Sequence, residues 1–511
     1  MSQQTIDRVL ERADEMIISA MNQEVLAGMA VGVIQGEKLI YSKGFGFADV
    51  QQEKAIATDT VFRIGSISKT FTAIALMQLW EQGKFQLDDP VNEYLKAYQI
   101  QHRDPNAPPV TFRHLLTHTS GIGEVREFAD LFRPILGLGA KPDKPIPTPK
   151  EYYAKGLTLE VYPGSKWAYG NHAFTTLGQL VEDISAEPFN EYMLWHVFEP
   201  LGMTHTDYLL SDRVRDQLAQ GYAFTQGKFK AIDYLEIVIT GAGSIFSSVN
   251  DMSKYVSALL NGGSNSSGSI LKPETLQLMM QPQYQLDERL TAMGLSFFLD
   301  RFDGHRIVCH GGGWPGFVSL MLIAPNDGLG VVVFTNTSTL APYRVAEDLL
   351  RQLLDLPEKA KQLPHPDILA SPHLWSQLCG FYAPEKGLNT NFRIWTGLGG
   401  GVEVFVKDNR LQMRSLIGWL SKPVSLYPID ASDPLAFQAL QDKVTLSLVF
   451  KRNAASDINR LDMGSYYGLC TLFKRPQHQS LRFWLTMILG GLAVGILIYL
   501  CSSVFICGSK S

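Results

Sequence analysis

Cysteine is scarce in this chain. The five cysteines among 511 residues never fall at the Cys-x-x-Cys spacing, and they are Cys309, Cys379, Cys470, Cys501 and Cys507. This pattern argues against a zinc site and against a disulfide framework, and it favours a reducing compartment. We therefore expect a chain that works without a metal or another cofactor.

An excess of basic charge is also missing. The chain has 45 Lys and Arg residues against 50 Asp and Glu residues, which gives a net charge of −5. Its aromatic residues are not interleaved with basic ones, so no nucleic-acid partner is expected. Residues 1–23 contain no apolar stretch of the kind that a signal peptide needs, because acidic residues interrupt them. They predict an amphipathic helix instead.

Long apolar runs are absent until the C-terminus, where residues 483–507 carry no charge. A run of this length can span a bilayer, and a buried core helix is the less favoured alternative. Lys474, Arg475 and Arg482 precede the run, whereas only Lys510 follows it. The positive-inside rule then predicts a single-pass C-terminal anchor with the rest of the chain on the cytoplasmic side.

The length of the chain predicts more than one domain. Apolar alternation predicts a hairpin over 30–34 and 38–42, and further strands follow residue 305, so we expect an antiparallel sheet closed by both ends of a domain. The intervening sequence is largely helical, with a long Pro- and Gly-rich loop at 123–150. This predicts an α+β domain over 1–355 with an all-α subdomain.

The C-terminal third has a different pattern. Prolines at 357, 364, 366 and 372 mark a linker over 356–374. Short β-type runs separated by turn signals follow it, at 392–395, 402–406, 411–414 and 444–450. They predict a small all-β domain over 375–473.

A candidate nucleophile lies at Ser66, which Lys69 follows at a spacing of one helical turn. A serine hydroxyl attacks well only when a neighbouring group takes its proton, and a lysine in a buried environment can do so. The alternative is a serine that caps a helix beside a solvated lysine. Apolar residues at helical spacing from Phe71 to Trp80 predict that a rigid helix follows.

Two further elements can contribute to the same chemistry. Tyr169 and Asn171 would face the same way on an extended backbone, where the tyrosine can act as a base and the asparagine can bind a substrate amide. Taken alone, this tripeptide is more typical of a turn.

The second of these elements is a histidine followed by three glycines. Gly312 and Gly313 would let a substrate backbone approach closely, and the Gly313 N–H can join that of Ser66 as an oxyanion hole. His310 can contact a substrate carboxylate or the hydroxyl network. The alternative is a glycine-rich bend with a structural histidine.

Together these elements resemble the serine β-lactamase and penicillin-binding-protein superfamily. The closest pattern is that of the branch of class C β-lactamases, D-alanyl-D-alanine carboxypeptidases, esterases and LACTB-like proteins, in which Tyr-x-Asn replaces Ser-Asp-Asn. The sequence stretches 87–91, 115–122, 241–248 and 325–336 are also similar to that family. The resemblance covers residues 5–355, and the β domain resembles a lipocalin-like domain that some members carry.

The resemblance implies a β-lactamase-like fold and a role for each residue. Ser66 becomes the acylated nucleophile, Lys69 its proton acceptor, Tyr169 the general base or proton shuttle, and Asn171 the binder of a substrate amide. His310 occupies the position that lysine usually holds in lactamases. This departure removes a fixed cation for the substrate carboxylate and weakens the case for turnover of β-lactam antibiotics.

These observations predict a membrane-anchored serine hydrolase that cleaves an amide or ester through a Ser66 acyl-enzyme. Its partners would be a small peptide, ester or β-lactam-type substrate, the membrane, and further copies of the chain. The alternative is a non-catalytic or weakly catalytic membrane scaffold or filament-forming protein on the same fold. If the chain is an enzyme, its activity can be that of a D-amino-acid-specific peptidase or that of an esterase, and the shape of the pocket decides between them.

Overall fold

The computed structural model describes residues 3–142, 145–357, 371–385, 387–418, 420–430, 432–441, 444–465, 468–482 and 485. The chain divides into two units. The first comprises Met1–Leu363 with the short segments Gly387–Thr390 and Gly464–Leu469, and the second contains Pro364–Lys386, Asn391–Met463 and Cys470–Ser511.

An eight-stranded antiparallel sheet is the centre of the first unit. Its strands are β1 (Gly28–Gln35), β2 (Lys38–Asp49), β3 (Lys54–Ala55), β4 (Ala292–Met293), β5 (Phe298–Phe302), β6 (His305–Trp314), β7 (Phe317–Ala324) and β8 (Leu329–Thr335). Their order in the sheet is β4-β5-β6-β7-β8-β1-β2-β3. The β1–β2 hairpin is present as the sequence predicts. β1 also pairs with β8, with Met29 opposite Thr335, so both ends of the domain close the sheet.

Both faces of this sheet are covered, which explains the continuous apolar run of β8. Val331 and Val333 point into one apolar cluster and Val332 into the other, because successive side chains alternate between the faces of a strand. Five longer helices belong to this unit: α1 (Gln3–Gln23), α2 (Ser68–Glu81), α3 (Asn171–Ser185), α4 (Val249–Leu260) and α5 (Ala341–Leu353).

The helices form two layers. Residues of α1 and α5 share a cluster with Val331 and Val333, whereas α2 and α4 share the other cluster with Val332. An amphipathic helix therefore opens the chain, as predicted, and its apolar stripe covers one face of the sheet.

The expectation of an all-α subdomain was wrong in detail. The segment between β3 and β4 contains α2, α3, α4 and shorter helices, but short strands also pair there. Ile100–His102 pairs with Leu157–Leu159, and Tyr222–Thr225 forms a hairpin with Lys228–Ala231. A Gln226-Gly227 turn with positive φ at both residues closes this hairpin, and such a turn joins antiparallel strands well.

The second unit is built around a closed eight-stranded antiparallel barrel. Its strands are β9 (Gly380–Ala383), β10 (Val402–Lys407), β11 (Arg410–Ser415), β12 (Val424–Pro428), β13 (Ala436–Gln441), β14 (Val444–Arg452), β15 (Ile458–Ser465) and β16 (Gly468–Arg475). The strand predicted at 392–395 was wrong, because Phe392–Leu398 is a helix that ends at the left-handed Gly399. A glycine in this conformation is a common helix terminator. The helix forms here although the aromatic residues before the glycine are also typical of strands.

Within the described part of the chain, every helix is too short or too polar to span a bilayer. The membrane helix predicted at 483–507 lies, apart from position 485, outside the described residues.

We predict that α1 contributes to stability through its buried stripe. Ile17 is fully buried, whereas its neighbour Ile18 is 48% exposed. Ile17→Ala should lower the free energy of unfolding by about 2–4 kcal/mol, because it leaves a cavity in the core. The matched control Ile18→Ala should change it by less than about 0.5 kcal/mol. Urea unfolding of both variants measures the difference, and equal losses would contradict this role for α1.

Candidate active site

Ser66 lies in a tight turn rather than at the cap of a long helix. The short strand Phe62–Arg63 leads into a 3₁₀ turn, Gly65–Ile67, and α2 begins at Ser68. The residues at the cap positions of this turn and of α2, Ile64 and Ile67, make no capping hydrogen bond with their side chains. Gly65 has φ of +52°, a left-handed conformation that glycine adopts without a steric penalty. Ser66 therefore lies in the turn that precedes the α-helix, and not at the first position of that helix.

The helix behind Ser66 is buried on nearly all sides. Phe71, Ile74 and Leu76 are each fully buried. The Ser68 hydroxyl donates to the Gly65 carbonyl at 2.7 Å and accepts from the Ile245 N–H at 3.0 Å. The turn that carries Ser66 is therefore fixed by packing below it and by hydrogen bonds beside it.

Lys69 is fully buried and its amine contacts three oxygen atoms. Nζ lies 3.0 Å from Ser66 Oγ, 2.8 Å from Asn171 Oδ1 and 2.7 Å from the Ala242 carbonyl oxygen. The amide and carbonyl oxygens can only accept, so they take two N–H groups. The remaining tetrahedral position of Nζ faces Ser66. At this position Nζ has an N–H when Lys69 is charged and a lone pair when Lys69 is neutral.

Asn171 lies at the start of a helix, so strand alternation does not set the direction of its side chain. It is the first residue of α3, after Gly170 at the cap position. Its side chain is nevertheless turned into the site, where Oδ1 accepts from Lys69 and Nδ2 donates to Glu124 Oε1 at 2.8 Å. The amide is thus held at both ends.

Glu124 is a site residue that the sequence did not reveal. It is buried, and its backbone carbonyl contacts His172 Nε2 at 3.1 Å while its carboxylate holds Asn171. Its only sequence signal is its position in the 123–150 loop, since its partners lie almost 50 residues further along the chain.

The ring of Tyr169 lies beside the amine. Lys69 Nζ is 4.8 Å from the centroid of this ring, a distance at which a cation and an aromatic face attract each other. The imidazole of His118 stacks on the same tyrosine at a centroid distance of 4.3 Å. Ser66, Lys69, Tyr169 and Asn171 therefore occupy one small region around the buried amine.

His310 is buried and neutral. Burial, and secondarily the nearby charge of Lys69, lower the pKa of His310 to about 3. Its Nδ1 lies 2.7 Å from the Gly311 carbonyl oxygen, so Nδ1 carries the proton and Nε2 has a lone pair. Nε2 has no hydrogen-bond partner among the residues that the structure describes. In this tautomer Nε2 can accept a hydrogen bond but cannot donate one to a carboxylate.

The glycines after His310 let β6 approach the nucleophile turn very closely. A Cβ at Gly312 would lie 1.9 Å from the Ile64 carbonyl oxygen, and a Cβ at Gly65 would lie 2.6 Å from the Gly313 amide nitrogen. Ser319 Oγ also donates to the Ile64 carbonyl at 2.8 Å. The Gly313 amide and the Ser66 turn are therefore neighbours, as an oxyanion hole requires.

Arg63 is the cation next to this turn in sequence, but aromatic rings enclose it. Its guanidinium lies about 5 Å from the ring centroids of Tyr234, Phe246 and Trp314. Its Nη1 donates to the Leu235 carbonyl at 2.5 Å, and burial lowers its pKa to about 10. This arrangement stabilises the wall of the site and keeps the guanidinium away from solvent.

The chain is similar to known proteins. The family model of Beta-lactamase matches residues 13–356. PbpX of Bacillus subtilis (strain 168), described as a penicillin-binding protein, is 29% identical over 356 residues, which cover 69% of this chain and 80% of PbpX. Protein flp of Staphylococcus aureus (strain N315) is 22% identical over 373 residues, covering 69% of this chain and 67% of flp.

Two solved structures are similar as well. The octameric penicillin-binding protein homologue from Pyrococcus abyssi has a TM-score of 0.60 and 25% identity, covering 91% of this chain and 99% of that one. The penicillin-binding protein from Bacillus halodurans has a TM-score of 0.54 and 27% identity, covering 65% of this chain and 98% of that one.

We predict that Gly312 is required for the contact between β6 and the nucleophile turn. Gly312→Ala should lower the free energy of unfolding by about 1–3 kcal/mol, because its methyl group overlaps the Ile64 carbonyl. Gly313→Ala is the matched control, since a Cβ there meets nothing within 4 Å. Chemical denaturation of the two variants tests this, and a stable Gly312→Ala variant would contradict the close approach.

Proposed function

The chain belongs to the Beta-lactamase family, and on this premise we propose that it is a serine hydrolase that cleaves an ester or amide through an acyl-enzyme on Ser66. The observation that carries the proposal is the 3.0 Å contact between Lys69 Nζ and Ser66 Oγ at a fully buried amine. A nucleophile and a base within hydrogen-bond reach, with the base oriented by further groups, are the signature of an activated serine.

In the proposed acylation, the neutral form of Lys69 accepts the Ser66 hydroxyl proton while Oγ attacks the substrate carbonyl carbon. Asn171 and Ala242 hold the two N–H groups of the amine, so its lone pair faces Oγ. The Ser66 and Gly313 N–H groups stabilise the negative oxygen of the tetrahedral intermediate. The bond to the leaving group then breaks. The protonated Lys69 passes its proton to Tyr169 as Tyr169 gives its own proton to the leaving group, so both side chains return to their starting forms. Water attacks the resulting ester by the reverse proton path.

Asn171 has a different main role in this proposal from the one that the family resemblance implies. Its amide joins the carboxylate of Glu124 to the amine of Lys69 in one hydrogen-bonded chain. The negative carboxylate offsets the buried positive charge whenever Lys69 is protonated, and a buried charge without such a partner would be costly. We infer that Asn171 and Glu124 orient Lys69 first and contact the substrate second.

The polar groups of the site favour a substrate without a carboxylate next to the scissile bond. His310 is neutral and its Nε2 is buried, and Arg63 is enclosed by three rings, so neither side chain presents a cation to a substrate carboxylate. This supports a neutral ester or amide as substrate over a peptide with a free C-terminal carboxylate, and so it favours an esterase or amidase over a D-amino-acid carboxypeptidase.

Attachment and assembly are further parts of the proposal. The uncharged run at 483–507 supports attachment to a membrane through the C-terminus. The similarity to an octameric homologue from Pyrococcus abyssi supports self-association of this chain.

We predict that the Ser66 hydroxyl is essential for turnover. Ser66→Ala should reduce hydrolysis of an activated ester such as p-nitrophenyl butyrate more than about 10³-fold, because it removes the attacking oxygen. Intact-mass analysis after incubation with a fluorophosphonate should show one adduct on the wild type and none on Ser66→Ala. Ser266→Ala replaces an exposed serine and should behave like the wild type. Labelling of Ser66→Ala to the same extent as the wild type would refute the acyl-enzyme.

We also predict that position 310 sets the preference for neutral substrates. The wild type should hydrolyse p-nitrophenyl butyrate faster than mono-p-nitrophenyl glutarate, which carries a carboxylate. His310→Lys should shift the ratio of the two kcat/KM values toward the glutarate by roughly tenfold, about what one charged hydrogen bond contributes. His310→Gln keeps the position neutral and should leave the ratio unchanged. An equal shift in both variants would show that charge at 310 does not decide selectivity.

A further inference from the structure

His118 binds the backbone of the segment that carries Tyr169 on both sides of the tyrosine. The Ala168 N–H donates to the His118 carbonyl at 2.8 Å, and the Gly170 N–H donates to His118 Nδ1 at 3.0 Å. Between these two bonds, the imidazole stacks on the Tyr169 ring at a centroid distance of 4.3 Å and an interplanar angle of 25°. One residue therefore contacts the tyrosine ring and the backbone before and after it.

These contacts require a neutral imidazole in one tautomer. Because Nδ1 accepts a hydrogen bond from a backbone N–H, it carries no proton, and a charged imidazolium could not make this bond. The ring is fully buried, and its other neighbours are Trp167 at 5.8 Å and Phe174 at 4.9 Å between centroids. The imidazole is thus packed among three aromatic rings, which fix its orientation against Tyr169.

The backbone of His118 is unusual in a way that serves these contacts. Its φ is +59°, in the left-handed region that only a few per cent of non-glycine residues adopt, among them asparagine, aspartate and histidine more often than the others. The bend turns the carbonyl of His118 toward Ala168 and the ring toward Gly170. Next to it, the Gly164 N–H donates to the Thr119 carbonyl at 2.7 Å, so the two segments are joined along their length. Strained residues of this kind cluster at sites where geometry is part of the mechanism.

We propose that His118 is a positioning residue that fixes the Tyr169 phenol in the proton path between Ser66 and the leaving group. This inference rests on the proposed function and assigns a role to the 115–122 stretch, which the catalytic steps leave without one. The phenol must stay close to the Lys69 amine, which lies 4.8 Å from the ring centroid. A displacement of about 1 Å in such a group can cost roughly 10²-fold in rate.

A purely structural histidine in the core would also be buried, so the test must separate catalysis from stability. A double-mutant cycle of His118→Gly with Tyr169→Phe makes this separation, because it measures the effect of His118 on kcat with and without the Tyr169 hydroxyl. Glycine accepts the left-handed backbone and keeps the carbonyl that holds Ala168, but it removes the ring. If His118 acts through the phenol, His118→Gly should lower kcat about 10²-fold in the wild type and less than about threefold in Tyr169→Phe. KM should change little in either background.

His118→Asn provides a second variant in case the glycine variant does not fold. Asparagine also tolerates the left-handed region, and its amide oxygen can replace Nδ1 as the acceptor for Gly170, although it cannot stack. Its kcat should lie between those of the wild type and His118→Gly. The matched control is His196→Asn, which changes an exposed histidine paired with Glu187 and should leave kcat unchanged.

The possible results separate the two proposals. Equal losses of kcat from the His118 substitution with and without the Tyr169 hydroxyl would overturn the positioning role, and so would an effect confined to KM or to the melting temperature. A wild-type chain that forms no Ser66 adduct and hydrolyses no ester would overturn the proposed function and the role of His118 with it. An active chain with additive losses would overturn the role of His118 alone.

Discussion

The buried amine of Lys69 is the constraint on which the site depends. A fully buried amine is tolerated only where every polar direction has a partner, because an unpaired one costs several kcal/mol. Three of its partners come from separate parts of the chain: the turn at Ser66, the start of α3 at Asn171, and the carbonyl of Ala242. Satisfying this single group therefore fixes the relative positions of three elements. The reactive hydroxyl is oriented as a result of that arrangement.

The features that the sequence predicted are those with local signals. Apolar alternation and a short turn predict the β1–β2 hairpin, and an apolar run at helical spacing predicts α2. The spacing of Ser66 and Lys69 is likewise local, and it requires only that one turn of helix forms. The α+β class of the first unit and the all-β character of the barrel follow from such patterns too, and both are present in the structure.

The features that the sequence did not predict depend on distant partners. Glu124 has no distinctive neighbours in the chain, and the 115–122 stretch around His118 resembles the family without indicating a partner for this histidine. Each of the two acquires its role from a residue about 50 positions away. Tyr169 and Asn171 would face the same way on an extended backbone, but Gly170 ends the extended segment and Asn171 begins α3. Likewise, no spacing indicates that three rings would surround Arg63. Tertiary packing decides such details, and a single sequence does not record it.

The pairing of β1 with β8 has a consequence for how the chain is made. Met29 lies opposite Thr335, so β1 meets its partner only after some 300 further residues have been synthesised. At about 5–20 residues per second, the delay on the ribosome is roughly 15–60 s. During that interval one edge of the β1–β2 hairpin has no strand beside it, and an exposed edge of this kind invites association with other chains. Production of the protein should therefore depend on chaperone capacity more strongly than its finished stability would suggest.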